Sequence, residues 1–238
     1  MSIYVTSINQ GGGKTVISAG IAAVMQSLGY NCSVYKPIQT GAIDKGKYLV
    51  SPDLTFVKLL DQYITTHCTY MMTNKALPSV AAELEKVNID IKEIKKDFEI
   101  LEKKSDAVIV EAPCNLLAPI NEKQFACNIP LALNIPTVVI VNPTTESVGH
   151  YISEIYSAKS LGVNIRGVII NKFPVYSESP EIKSFPEMIE KYCDVKVLGL
   201  IRNFKGNSVQ TSVLINEILN GIDLQDVFNM KIAKLNTF

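Results

Sequence analysis

MSIYVTSINQGGGKT, residues 1–15, decides how the rest of the chain is read. Ser2–Ser7 is a short β-prone run. From Lys14 onward, Ile17, Ile21, Val24, Met25 and Leu28 recur at helical spacing, and Gly29 supplies a stop. The segment between strand and helix carries Gly11, Gly12 and Gly13 ahead of Lys14 and Thr15. Glycines permit backbone geometries in which successive N–H groups converge on an anion. The N-terminus of the following helix adds a favourable field. Lys14 can bridge phosphate oxygens, and the Thr15 hydroxyl can meet a magnesium ion. The usual phosphate-loop spacing G-x-x-x-x-G-K-[ST] asks for Gly where Ile8 stands. The literal pattern fails, but strand, glycines, Lys-Thr and helix all remain.

The same grammar continues downstream. Strands are expected at Cys32–Lys36, Ala107–Glu111, Pro136–Asn142, Gly167–Asn171 and Val195–Ile201. Helices are expected at Lys14–Leu28, Asp53–Asp61, Leu77–Leu84, Asp90–Lys104, Val148–Leu161, Ser184–Lys191 and Ser208–Leu219, with a short tail helix after residue 225. Pro37 through Pro52 reads as a polar loop. The inner strands AVIVE, PTVVIV and GVIIN are apolar on both faces, which marks a parallel sheet covered by helices on each side. The expected fold is α/β: a P-loop NTPase-like three-layer αβα sandwich with a mostly parallel central sheet, spanning residues 1–238 as one domain. Ligands of such sheets bind beyond the carboxyl ends of the strands.

Composition limits the function classes. Of the 238 residues 47% are hydrophobic, enough for a sizeable core, and 23 Lys+Arg balance 23 Asp+Glu. Such a balance gives no global field to recruit nucleic acid or an anionic membrane. Cys32, Cys68, Cys114, Cys127 and Cys193 are scattered and odd in number, which speaks against a disulfide framework or a structural zinc site. With no targeting pattern and no apolar run of membrane-spanning length, the expectation is a soluble, cytoplasmic protein.

The candidate site residues fall after strands. Lys36 and Thr40, in YKPIQTG, could hold a phosphate or an anionic intermediate. Asp53, in SPDLTF, reads on local grounds as a helix cap and otherwise as a magnesium ligand. Glu111, closing a buried strand beside the phosphate loop, suits magnesium directly or through water. Asn171 has the donor and acceptor that fit a purine edge. His67 and His150 lack an obvious nucleophile and read as structural or surface residues.

Several of these pieces match one family in order over residues 2–205. The chain resembles dethiobiotin synthetase, the ATP-dependent carboligase of biotin synthesis. The family loop, roughly G-T-D-T-x-V-G-K-T, is one residue longer than the common phosphate loop. With that spacing its first Gly falls on Ser7, and Gly13-Lys14-Thr15 align. YKPIQTG resembles K-P-V-x-[ST]-G, LPSVAAE resembles P-x-x-A-A, and EAPCNLLAPI resembles E-G-A-G-G-x-x-x-P-[IL]. GVIIN and VLGLI resemble the later strands.

The resemblance implies carboxylation of 7,8-diaminopelargonic acid with CO2. A carbamate forms on one amine, attacks the γ-phosphate of ATP, and gives a carbamic–phosphoric anhydride on which the second amine closes a cyclic urea. It implies that Lys14 and Lys36 neutralise phosphate and carbamate charge while Thr40 bonds the carbamate region. Asn9, Gln10, Gly11, Gly12, Gly13, Lys14 and Thr15 would cradle ATP, and Asn171 would read its base. Thr15, Asp53 and Glu111 would hold Mg2+, in a homodimer with substrate near the subunit interface. The chain departs from the family at Ala112-Pro113-Cys114-Asn115, at Asn9 and Gln10, and at PTTESVGH. There Glu146 brings a negative charge near the family's carboxylate-receiving turn. A related P-loop ligase or kinase with another amine or acid substrate stays open as an alternative, as does a non-catalytic nucleotide-binding relative.

Overall fold

Seven parallel strands form one sheet whose centre is the strand that opens the chain. The structure is a computed structural model and describes residues 1–9, 11–203 and 211–232. In chain order the elements are β1 (Ser2–Ser7), α1 (Lys14–Ser27), β2 (Cys32–Thr40), β3 (Ile43–Asp44), β4 (Leu49–Val50), α2 (Pro52–Leu60), β5 (Thr65–Met72), α3 (Pro78–Glu85) and α4 (Ile91–Glu102). They continue with β6 (Ala107–Glu111), α5 (Asn128–Leu133), β7 (Thr137–Val141), α6 (Val148–Ser160), β8 (Ile165–Phe173), α7 (Pro180–Cys193), β9 (Val197–Arg202), α8 (Thr211–Gly221) and α9 (Leu224–Phe228). The sheet order is β5-β2-β6-β1-β7-β8-β9. β1 sits between β6 and β7, pairing Val5 with Glu111 on one side and Ser7 with Ile140 on the other.

Alternation along the strands builds two cores. Tyr4, Tyr35, Val108, Val110, Val139, Val141, Val168 and Ile170 face one buried cluster with residues of α3 to α7. Ile3, Val5, Val34, Ile109, Val138, Ile140 and Ile169 face a second with α1, α2, α8 and α9. This is the expected three-layer sandwich, because a strand apolar on both faces is stable only when both are covered.

The structure differs from the sequence reading in a few places, each with a physical reason. β2 runs on through Pro37 to Thr40. Its pairing with β6 ends at Tyr35, while that with β5 continues past the proline to Thr40. The missing Pro37 N–H therefore breaks no continuing ladder on the β6 side. The remainder of the expected loop holds the small antiparallel pair β3-β4. β5, TTHCTYMM, is an additional strand without a sequence signal, because an edge strand buried only in part carries no continuous apolar run. α5 is a six-residue helix containing Pro130, and α7 starts four residues ahead of the expected Ser184, at Pro180, whose fixed φ suits a first helical position, and runs through Pro186. The expected start of the last long helix at Ser208 and the tail beyond residue 232 lie outside the described residues.

Candidate functional site

The carboxyl ends of β1, β2, β6 and β8 converge on one open cleft of about 820 Å³. Asn9, Gly11, Gly13, Lys14, Thr15, Lys36, Thr40, Asp53, Glu111 and Asn171 all line it. Gln10 lies outside the described residues.

The loop between β1 and α1 is built around its glycines. Gly13 takes a left-handed conformation (φ 96°, ψ 23°) as the residue before the helix, and no side chain among the described residues caps that end. The first-turn N–H groups are thus left to an anion. Gly12 is required by contact: a Cβ there would lie 2.8 Å from Ser7 Cβ. Asn171 closes the loop from β8, its Nδ2 donating to Gly12 O (2.9 Å) while its Oδ1 accepts from Lys172 N (2.9 Å). Lys172 Nζ donates to Gly11 O (3.0 Å). The sequence reading aimed Asn171 at a purine; the structure engages one N–H and one lone pair of its amide locally and leaves the others.

At the floor of the cleft, Lys36 Nζ contacts Asp53 Oδ2 (2.7 Å), Glu111 Oε1 (2.7 Å) and Ala112 O (3.2 Å). It is 3% exposed and Glu111 is fully buried. Burial alone would depress the Lys36 pKa, but the charges of Glu111 and Asp53 and their hydrogen bonds outweigh it and raise it to about 12. Lys36 is therefore a fixed cation. Burial, aided by repulsion from Lys36, pulls the Lys14 ammonium below the ordinary lysine value. Lys14 Nζ donates to Ser7 Oγ (3.0 Å), so the residue that replaces the family's first glycine steadies the loop lysine.

Asp53 does not cap its helix. Ser51 does, its Oγ accepting from Leu54 N (3.1 Å), and this frees the Asp53 carboxylate for Lys36. The local capping preference thus chose the wrong residue of Ser-Pro-Asp.

The oxygen donors fit a hard divalent cation. Thr15 Oγ1 donates to Glu111 Oε1 (2.8 Å), and Glu111 Oε2 is buried with no hydrogen-bond partner among the described residues. A buried orphan oxygen beside a hydroxyl and a second carboxylate suits Mg2+, which keeps several waters and takes only one or two carboxylates from protein. No group of three or more His, Cys, Asp or Glu placed to hold a metal occurs among the described residues, so a dedicated protein cage is not what the site offers.

The rebuilt segment after Glu111 places Pro113, Cys114 and Asn115 on the cleft wall. Burial pushes the Cys114 thiol up to about 12 despite Lys14 and Lys36 nearby, so it is no nucleophile at neutral pH. All five cysteines are free. Two departures noted in the sequence meet in space: Asn9 Nδ2 donates to Glu146 Oε1 (2.9 Å), linking the phosphate loop to the segment before α6. An Asp at residue 9 would face that carboxylate without a proton to share. His67 bonds Asp97 (2.9 Å) and stacks on Tyr35 at 5.6 Å between centroids, away from the cleft residues.

Comparison with known proteins supplies the context. A family model described as an AAA domain matches residues 1–207. The ATP-dependent dethiobiotin synthetase BioD of Bacillus cereus (strain G9842) is 30% identical over 214 residues, covering 89% of this chain and 87% of that protein. BioD of Brachyspira hyodysenteriae is 31% identical over 208 residues, covering 84% and 91%. Among solved structures, cobyrinic acid a,c-diamide synthase from Mycobacterium smegmatis with bound ATP analog and magnesium aligns with TM-score 0.58 at 15% identity, covering 90% of this chain and 91% of that one. The septum site-determining protein MinD with Mg-ADP from Pyrococcus horikoshii aligns with TM-score 0.57 at 17% identity, covering 91% and 85%. These two show a shared P-loop fold.

Proposed function

The chain belongs to the dethiobiotin synthetase family as a divergent member, and from that premise we propose that it is an ATP-dependent cyclo-ligase that carboxylates 7,8-diaminopelargonic acid with CO2. The observation that carries this reading is the clustering of Lys14, Lys36, Thr15, Asp53 and Glu111 on one cleft at the ends of β1, β2 and β6.

In this proposal one substrate amine attacks CO2 and loses a proton, leaving a carbamate. A carbamate oxygen attacks the γ-phosphorus of ATP, and ADP departs. The second amine then attacks the carbamoyl carbon; the C–O bond to phosphorus-bound oxygen breaks, phosphate leaves, and loss of a proton from the attacking nitrogen gives the cyclic urea. The chain's task is placement and charge neutralisation. Lys36, fixed as an ammonium, offsets the carbamate charge, and Thr40 hydrogen-bonds beside it. Lys14 bridges phosphate oxygens, with the Gly11–Gly13 backbone and the α1 N-terminus behind them. Thr15, Asp53 and Glu111 would hold Mg2+, which would supply neutralisation of the phosphate charge. Asn171 meets the base with the donor and acceptor its loop contacts leave over. A cytoplasmic homodimer belongs to the same proposal.

Glu146 at the β7–α6 turn and Pro113-Cys114-Asn115 after β6 favour one second reading, a ligase of the same chemistry acting on a different diamine or amino acid. Purified protein incubated with ATP, Mg2+, bicarbonate and 7,8-diaminopelargonic acid, with mass spectrometry of the product, tests the first reading and separates it from the second.

A further inference from the structure

Four lysines line the cleft: Lys14, Lys36, Lys75 and Lys172. Three are held by the protein. Lys14 donates to Ser7 Oγ, Lys172 donates to Gly11 O, and Lys36 is bound by Asp53, Glu111 and Ala112 O. Lys75 alone has no side-chain partner among the described residues. We infer that Lys75 is the specificity residue that receives the carboxylate of the amine substrate. This inference rests on the amine-carboxylating reading above.

The wall that carries Lys75 is built, not loose. Its chain leaves β5 beside the end of β2: Gly41 N donates to Asn74 O (3.1 Å) and Ala42 N to Met72 O (2.9 Å). Gly41 has φ 69°, and its missing Cβ would lie 3.4 Å from Lys75 Cβ and Cγ. The Lys75 stem therefore rests on Gly41, one residue past Thr40. From the other side Glu85 Oε1 accepts from Asn74 N (2.7 Å), Asn74 Nδ2 (2.7 Å) and Thr73 Oγ1 (3.0 Å). The Asn74 N–H, with the other two bonds, holds the Glu85 carboxyl below the ordinary range despite its partial desolvation. Glu85 thus serves the turn with one oxygen, and the adjacent Lys75 is left exposed to the cleft. α3 begins at Pro78 on the same wall, but Pro78 has no N–H and Ser79 N donates to Pro119 O (3.3 Å), so the cation offered there is Lys75 rather than the helix end.

Charge also directs the substrate this way. An amine whose reacting end lies at Lys36 and Thr40 must put its carboxylate somewhere. Glu146, bonded to the cleft residue Asn9, makes the β7–α6 side negative, and the free cation lies on the opposite wall beside Thr40. Lysine is suited to this role as an unpaired, mobile point charge that pairs with the ligand rather than with its own chain.

The test compares 7,8-diaminopelargonic acid with its methyl ester on wild type, Lys75→Ala, Lys75→Glu and Lys75→Arg. Lys75 is exposed, so these variants keep the fold, and thermal melts check that. The expected result is a KM for the acid raised about five- to tenfold in Lys75→Ala, more in Lys75→Glu, and restored in Lys75→Arg. The KM for ATP stays within about twofold, and the preference of wild type for acid over ester disappears in Lys75→Ala. Equal KM values for acid in wild type and Lys75→Ala, or an acid preference that survives the substitution, overturns the inference while the reaction stands. Should wild type make no cyclic urea, the reaction reading fails by itself. Calorimetric titration of the acid into protein saturated with a non-hydrolysable ATP analogue then judges Lys75. Weaker binding in Lys75→Ala than in wild type supports the inference, and equal or absent binding overturns it.

Discussion

Gly12 and Ser7 occupy one place between them: a Cβ on Gly12 would sit 2.8 Å from Ser7 Cβ and 3.0 Å from Ser7 Oγ. The family's first loop glycine is a serine here, and the added side chain is accommodated by a glycine five residues later. Gly12→Ala is therefore expected to cost about 1–3 kcal/mol through overpacking and to weaken ATP binding. Ser7→Gly combined with Gly12→Ala returns the missing space, and most of the loss should be recovered. Thermal melts and ATP titrations of both variants check this; a double variant no better than Gly12→Ala would show that the two positions are not coupled.

Lys36 is fully enclosed between Asp53, Glu111 and a carbonyl oxygen. Lys36→Met leaves the buried Glu111 carboxylate without its cation, and a loss of about 3–5 kcal/mol is expected along with turnover. The sign of its pH dependence follows from a raised pKa. The stabilisation is whole below the unfolded lysine value and fades only as pH rises through about 12. The melting-temperature gap between wild type and Lys36→Met should therefore not shrink through titration of Lys36 between pH 7 and 9. A gap that closes in that window would mean that Lys36 is not held as an ammonium.

Lys14 behaves oppositely, because burial and the nearby Lys36 lower its pKa. With Lys14 as the proposed phosphate contact, ATP affinity is expected to fall with rising pH earlier than an ordinary lysine would dictate, as its ammonium loses its proton. Lys14→Arg, which does not titrate there, should flatten that fall, and Lys14→Ala should abolish turnover. Calorimetric ATP binding across alkaline pH decides it; parallel profiles for wild type and Lys14→Arg would remove Lys14 from the phosphate contact.

Asn171 can act on the base, on the loop, or on both. Loss of its bond to Gly12 O in Asn171→Ala should cost about 1–2 kcal/mol of stability and raise the KM for ATP. A change in the ratio of ATP to GTP use would assign the remaining donor and acceptor to the base. A uniform loss for both nucleotides would confine Asn171 to the loop.

Much of this was legible because the physics was local. A strand, three glycines, Lys14-Thr15 and a periodic helix announce the loop, and strands apolar on both faces announce a covered parallel sheet. Glu111 and Lys36 could be picked out by lying at strand ends. What escaped depends on distant partners. The edge strand β5 is half solvated and shows no run. Asp53 has a capping side chain, but Ser51, two residues earlier, caps the helix. Asn9 and Glu146 read as separate departures, although 137 positions apart they share one hydrogen bond. The engagement of Asn171 with Gly12, 159 positions away, is equally invisible in a linear reading.

Purified protein mixed with ATP, Mg2+, bicarbonate and 7,8-diaminopelargonic acid, with mass spectrometry of the product, decides the proposed reaction. The expected product is a cyclic urea that requires both ATP and the diamine and is absent with Lys14→Ala. Tight ATP binding without that product would contradict the assigned substrate and send the search to another amine.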